Sequence, residues 1–253
     1  MVDNLTIFTT CRAFEGQHAI IQHNALSSWM LLRPRPEIIV FGNDAGSAEI
    51  CKELELRHEP EVETTEHGIP FVDSLFSKAQ QVASHNLLCY INADIVVNGG
   101  LVEAATEAAG RFERFMMTGL RWDLETTERL DFGGEWAMKL EARARRDGAF
   151  HRTTGADYFA FPRGLYQKIP DFIIGRSAWD NWLIMDAARR GIPLIDATKA
   201  VFVVHHGLTS PARDTAFNHN QKLWFDCDPA RGEGSINSAT WEMDESCQLH
   251  SRS

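Results

Sequence analysis

At 253 residues with 44% hydrophobic content, the chain is long enough to bury one sizeable core. Its net charge of −10, with no basic run beyond Arg143-Ala-Arg-Arg146, excludes nucleic acid as the main partner, because neutralising phosphates needs a clustered basic face. A nucleotide ligand, which needs only a few donors or a metal, stays open. The five cysteines are widely spaced and form no C-x-x-C pair, which fits reduced thiols better than a disulfide framework. The first residues lack the basic and apolar regions of a signal peptide, and no window approaches the roughly 18 apolar residues of a membrane span. A soluble, cytoplasmic protein is expected.

Leu5 to Thr10 is β-rich and reads as a first strand. Ile21, Ala25, Trp29 and Leu32 then recur at helical spacing until Pro34 and Pro36 end the helix. Glu37 to Gly42 is a second strand closed by Asn43-Asp44, and a short helix follows around Ser47 to Leu54. Val72, Leu75, Phe76, Ala79, Val82 and Ala83 share one helical face. That helix leads into Leu88 to Val97, an apolar, β-branched run interrupted by Asn92-Ala93-Asp94 and ended by Gly99-Gly100, which reads as one buried strand. Enclosing Asp94 in such a run costs several kcal/mol unless a cation or donors satisfy it. The carboxylate therefore belongs where the strand emerges, holding a hard divalent ion beside phosphate oxygens or bonding neighbouring backbone.

The second half is less regular. Phe115 to Thr118 reads as a strand, Trp122 to Gly134 as a polar segment, and Trp136 to Arg146 as a helix. Thr153 to Pro162 sets Gly155 and Asp157 before a short apolar strand. Ser177-Ala-Trp-Asp-Asn-Trp182 opens a helix that stops at Gly191, and Val201 to Val204 is a last strand running into His205-His206. Residues 1–209 are read as the domain and 210–253 as a mobile loop and tail. Strands alternating with helices predict an α/β fold with a mostly parallel central sheet, in which ligands bind beyond the carboxyl ends of strands. Thr9-Thr10, Asp44 and Asn92-Ala93-Asp94 all lie at such ends.

In that order the pieces resemble nucleotide-sugar glycosyltransferases of the GT-A fold, similar to glycosyltransferase family 2, over roughly residues 5 to 207. Asn92-Ala93-Asp94 stands where the family carries its D-x-D metal motif. Asp44 stands where the second strand often ends in a carboxylate near base or ribose. Ala178-Trp179-Asp180 resembles the motif whose carboxylate is the base of inverting members, and Val203-Val-His-His206 the late strand whose histidine completes the metal site. The chain departs from the pattern twice: Asn92 replaces the first D-x-D carboxylate, and Trp179-Asp180 retains one carboxylate of an acidic pair.

The resemblance implies a hexosyl- or pentosyltransferase taking a nucleotide-sugar donor, UDP first, and a glycan or other hydroxyl acceptor. Mn2+ or Mg2+ would be held by Asp94 with His206 or His205, only one of which can face the cleft because adjacent strand residues point apart. Asp180 is the expected general base, or else a helix-capping residue. Thr9, Thr10, Arg12, Asp44, Asn92 and Asp94 are candidates for the nucleotide. Arg12 and Asp44 are equally a surface ion-pair partner and a turn former. Asp157, Trp179 and Trp182 are candidates for sugar contacts, although aromatic residues are also good core. Arg213 to Trp224 is long enough to close over a donor. The alternatives are a sugar-phosphate nucleotidyltransferase, a metal-dependent hydrolase, and a non-catalytic nucleotide-sugar-binding module.

Overall fold

In a computed structural model, which describes residues 4–151, 153, 155–175, 178–207, 219–228 and 234–252, the chain alternates strand and helix from the start. The first half runs β1 (Leu5–Thr10), α1 (Gly16–Met30), β2 (Glu37–Phe41), α2 (Ser47–Glu53), β3 (Arg57–Glu59), α3 (Val72–Val82), β4 (Leu87–Ile91), β5 (Ile95–Val97) and α4 (Leu101–Arg111). The second half runs β6 (Met116–Thr118), β7 (Trp122–Leu124), α5 (Trp136–Asp147), β8 (Ala149–Phe150), β9 (Tyr158–Pro162), α6 (Trp179–Arg189), β10 (Leu194–Asp196), β11 (Val203–His206), α7 (His219–Cys227), β12 (Trp241–Met243) and β13 (Leu249–Ser251).

A nine-stranded sheet has the order β13-β12-β10-β6-β9-β4-β1-β2-β3, and only β9 and β13 run against the other strands. Its inner strands β1, β2, β4, β6, β9 and β10 are buried on both faces nearly throughout, as a covered parallel sheet requires. On one face α1, α2 and α4 bury Trp29, Leu26, Ile50 and Leu101 against Leu5, Ile7, Val40 and Cys89. On the other, α3 and α6 bury Phe76, Leu75, Trp179 and Leu183 against Phe8, Ile39, Tyr90 and Phe161. A second sheet, ordered β5-β11-β7-β8, packs Val96, Val204 and Leu124 against Leu140 and Ala144 of α5.

The expected single strand from Leu88 to Val97 is two strands in two sheets. β4 ends at Ile91, Asn92 and Asp94 form the turn, with the Ile95 amide donating to the Asn92 carbonyl at 3.1 Å, and β5 pairs antiparallel with β11. The Trp29 indole donates to the Ile95 carbonyl at 2.9 Å and fixes α1 to the departing strand. An apolar run with a polar interruption carries no mark of which sheet its second half joins. Gly100 caps α4 at φ +75°, and a Cβ there would lie 2.1 Å from the Ala200 carbonyl oxygen, so the run ends in glycine for conformational and steric reasons.

Residues 234–252 do not form the expected tail. β12 pairs parallel with β10, β13 extends the edge, and Met243 and Cys247 are buried in the core. The polar composition misleads here because an edge strand need bury only alternate residues. In the expected closing segment, residues 213–218 lie outside the described residues. His219–Cys227 is helical, with Asn220 bonding both the amide and the carbonyl of Ile173 at 2.9 Å. No helix among the described residues is long and apolar enough to cross a membrane.

Candidate active site

The sheet order β4-β1-β2 brings Asn92 and Asp94, Thr9 and Thr10, and Asp44 to one edge, beyond the carboxyl ends of parallel strands. Cys11, enclosed at this edge, has its thiol pushed far up by burial and further by Cys51, Asp44 and Asp94, so both carboxylates act on one spot. Thr10 Oγ1 is buried without a partner, while Thr9 Oγ1 donates to the Thr10 carbonyl at 3.3 Å. Arg12 is exposed, and its backbone is clasped on both sides by the Gln22 amide, at 2.6 and 2.9 Å. Asp44 is exposed and its carbonyl accepts from the Ser47 amide at 3.0 Å, the turn-forming role.

Asp94 sits in the turn between β4 and β5 with its side chain 43% exposed, yet its Oδ1 is enclosed and unpartnered. Its Oδ2 lies 3.3 Å from His205 Nε2. Burial opposes its ionisation, but the hydrogen bond and charge of His205 and the charge of Arg121 hold its carboxyl below the usual range. On His205 burial disfavours the charge, and Asp123 and Asp94 on either side outweigh it, pushing the imidazole up to about 10. The ring fills the space between two carboxylates.

His206 takes the other face of β11, on the side of Val204 and α5, fully buried with neither ring nitrogen partnered. Burial, then the charges of Arg143 and His205, push it down to about 4. Of the two candidate histidines, only His205 turns its side chain to the Asp94 carboxylate; His206 meets Asp94 through the backbone, its amide donating to the Asp94 carbonyl at 2.8 Å.

Asn92 is spent on the protein itself. Its amide donates to Asp157 Oδ1 at 2.7 Å, and its carbonyl accepts from the buried Tyr90 hydroxyl at 2.8 Å. A carboxylate at position 92 would face a carboxylate, which is a physical reason for the departure from D-x-D. Asn92→Asp is expected to cost about 2 kcal/mol or more, since it trades a hydrogen bond for a like-charge contact. Urea midpoints should show a smaller loss at pH 5 than at pH 8, because the pair can share a proton at the lower pH.

Asp157 also takes an ion pair from Arg121, whose Nε donates to Asp123 Oδ1 at 2.8 Å. His151 Nδ1 lies 2.8 Å from Asp123 Oδ2. Arg121, Asp123 and His151 were not singled out from the sequence. The one trace was Arg121 and Asp123 alternating about Trp122, at the edge of the segment read as merely polar.

Asp180 lies in the first turn of α6, after Ala178 at φ +90°. Its Oδ1 is buried without a partner. Burial first, with Asp157's charge adding to it and backbone amides opposing, raises its carboxyl to about 6.

Trp179, expected as a sugar contact, is packed into the aromatic core. It is 4% exposed and packs edge-on against Tyr90 at 5.2 Å and Phe159 at 5.7 Å. Trp182 is half-buried against Phe172 at 5.7 Å. Trp179→Ala is expected to cost about 3–5 kcal/mol, the usual cost of emptying a core aromatic, as a shift in denaturant midpoint. The arginines of α5 are paired with Glu128, Glu141 and Asp147, so they form a solvated helix face. The hollows of about 530 Å³ at Glu61, Asp73 and Lys78, and of about 230 Å³ at Arg33, Gly100 and Trp136, hold none of the expected site residues.

Among the described residues no three His, Cys, Asp or Glu side chains converge on one point. Asp94 and His205 are a two-donor set, and the enclosed Asp94 Oδ1 has no protein partner. Mg2+ and similar hard ions are commonly held by one or two carboxylates with phosphate and water completing the shell, so these residues fit such an ion.

No protein-family model matches the chain, and no curated protein matches it by sequence. Among solved structures it is similar to the mannosyltransferase PcManGT from Pyrobaculum calidifontis, in complex with GDP-Man and Mn2+. That match has a TM-score of 0.50 at 16% identity and covers 85% of this chain and 59% of that one. It is also similar to GalNAc-T7 with UDP, GalNAc and Mn2+, with a TM-score of 0.53 at 14% identity, over 81% of this chain and 44% of that one. The chain thus spans less than two thirds of the length of either protein. With the parallel sheet between helical layers and the ligand-type residues at its carboxyl edge, the likeness assigns this chain the GT-A-type α/β fold of these glycosyltransferases.

Proposed function

We propose that the protein is a metal-assisted, inverting glycosyltransferase that moves a sugar from a nucleotide-sugar donor to a hydroxyl acceptor. The observation that carries this reading is a pair of enclosed, unpartnered carboxylate oxygens, Asp94 Oδ1 and Asp180 Oδ1, whose charges both reach Tyr90; their surroundings hold the first carboxyl below its usual range and push the second up to about 6. Carboxylates pushed apart by their surroundings take different chemical roles. Asp94 and His205 would hold Mn2+ or Mg2+, whose charge offsets the charge developing on a departing diphosphate. His205 must give up its proton to serve as a ligand, so metal uptake releases a proton.

Asp180 would accept the acceptor hydroxyl's proton while that oxygen attacks the anomeric carbon, opposite the leaving nucleoside diphosphate, and the configuration inverts. A carboxylate of pKa near 6 is a better base at neutral pH than an ordinary aspartate and is still ionised there. Thr10 and Asp44 flank the expected nucleotide position, and the exposed Arg12 is the cation nearest in sequence to it. UDP is the first donor to test and GDP the second, the two nucleotides in the similar structures. The five cysteines, all free, support a reducing compartment, in keeping with a cytoplasmic enzyme.

The reading is tested by incubating the protein and Mn2+ with UDP-, GDP- and dTDP-sugars and a panel of glycan acceptors. Nucleoside diphosphate release is followed, and the new linkage is assigned by NMR. Transfer with inversion is expected from one donor class. Transfer with retention would remove Asp180 as the base.

A further inference from the structure

His205 lies opposite Asp123 in the parallel pairing of β11 with β7, so the two side chains share a face of the small sheet. His205 Nδ1 is enclosed, with no hydrogen bond formed, and Asp123 Oδ1 stands 3.4 Å from it. The other ring nitrogen faces Asp94. Asp123 is itself held still: Arg121 Nε donates to its Oδ1 at 2.8 Å, and His151 Nδ1 lies 2.8 Å from its Oδ2. Its side chain is 17% exposed and anchored from both oxygens, so it has little freedom to swing away from the imidazole.

From this geometry we infer that Asp123 is the positioning residue of the site: it fixes the His205 ring so that Nε2 is presented to a divalent cation beside Asp94. The inference rests on the metal reading of Asp94 and His205 given above. A ligating histidine has its other ring nitrogen turned toward a carboxylate or carbonyl, which sets tautomer and orientation. In the neutral ring a proton kept on Nδ1, the nitrogen beside Asp123, would leave the Nε2 lone pair on the side of Asp94. Asp123 does not touch the ion or the sugar and acts only through the ring. Arg121 extends the same chain of contacts to Asp157 and Asn92, tying the ring's support to the end of β4.

The test is Mn2+ binding followed by electron paramagnetic resonance, in the presence of UDP or GDP, on the parent chain and three variants. Asp123→Ala is expected to weaken Mn2+ binding by about 10- to 100-fold, the usual effect of losing such a support. Asp123→Asn keeps an acceptor oxygen of the same shape and is expected to fall between the two. His151→Ala removes a neighbour of Asp123 without touching His205 and is expected to stay within about threefold of the parent, on the same scale. Nucleotide binding without metal should be unchanged in all three. A merely structural role for Asp123 would lower the unfolding midpoint and leave Mn2+ affinity of the folded protein unaltered. Parent-like Mn2+ affinity in folded Asp123→Ala overturns the inference. If that variant does not fold, parent-like affinity in Asp123→Asn does so. Failure of the metal reading itself is separately visible, because the parent would then show no Mn2+ binding with either nucleotide.

Discussion

Asp180→Asn is expected to lower turnover by about 100- to 10,000-fold, the range for removing a general base, and to make the protein more stable at the same time. Both effects come from one cause. Burial raises the folded-state pKa of Asp180 from 3.8 to about 6. Below pH 3.8 the carboxyl is protonated in folded and unfolded chains alike and costs nothing. As pH rises through about 6, the unfolded chain has already ionised, the folded one gives up its proton against burial and Asp157, and stability is lost. At pH 7.5 the penalty is about 3 kcal/mol at roughly 1.4 kcal/mol per pKa unit, and the amide removes it. Urea unfolding at pH 7.5 and pH 3.5 checks this: the variant should gain at the first and match the parent at the second. In the parent, kcat/KM should rise tenfold per pH unit below about 6 and level above it. A structural capping aspartate would give the opposite result, since its replacement would lose stability at neutral pH.

Asp94→Ala is expected to abolish the Mn2+-dependent part of nucleotide affinity and to lower kcat/KM by about 1,000-fold or more, matching the several kcal/mol that a Lewis acid supplies. The enclosed Oδ1 of Asp94 is the atom that has no protein partner to lose. His205 keeps Asp123 in this variant, so the ring remains paired and the fold should survive. His205→Ala should resemble it, whereas His206→Ala should act on stability and leave Mn2+ dependence intact, because His206 faces α5. A His206 variant that lost metal dependence while His205→Ala kept it would reverse the assignment.

The alternation of strand and helix over β1, α1, β2, α2 and α3 is legible because each element carries its own periodicity, and the order β4-β1-β2 puts the segments that hold Thr10, Asp44 and Asp94 at one edge of the sheet. What the pattern lacked was any signal for very short strands. β7 and β8 are three and two residues long, too short for a period, and they deliver Asp123 and support His151. Trp179 and Asp180 stand side by side in one motif, yet the helix turns the first into the aromatic core and the second toward Asp157. That direction depends on how α6 docks, not on local sequence. Asn92 read as a weakened metal ligand because Asp157, 65 positions away, is its partner, and only the folded chain brings them together.

The most direct test of the central claim is calorimetric titration of the protein with UDP, GDP and dTDP, each with and without Mn2+. Binding of one nucleoside diphosphate that strengthens with Mn2+ and loses that gain in Asp94→Ala is the expected result. No binding of any of the three, with or without the metal, would contradict the account.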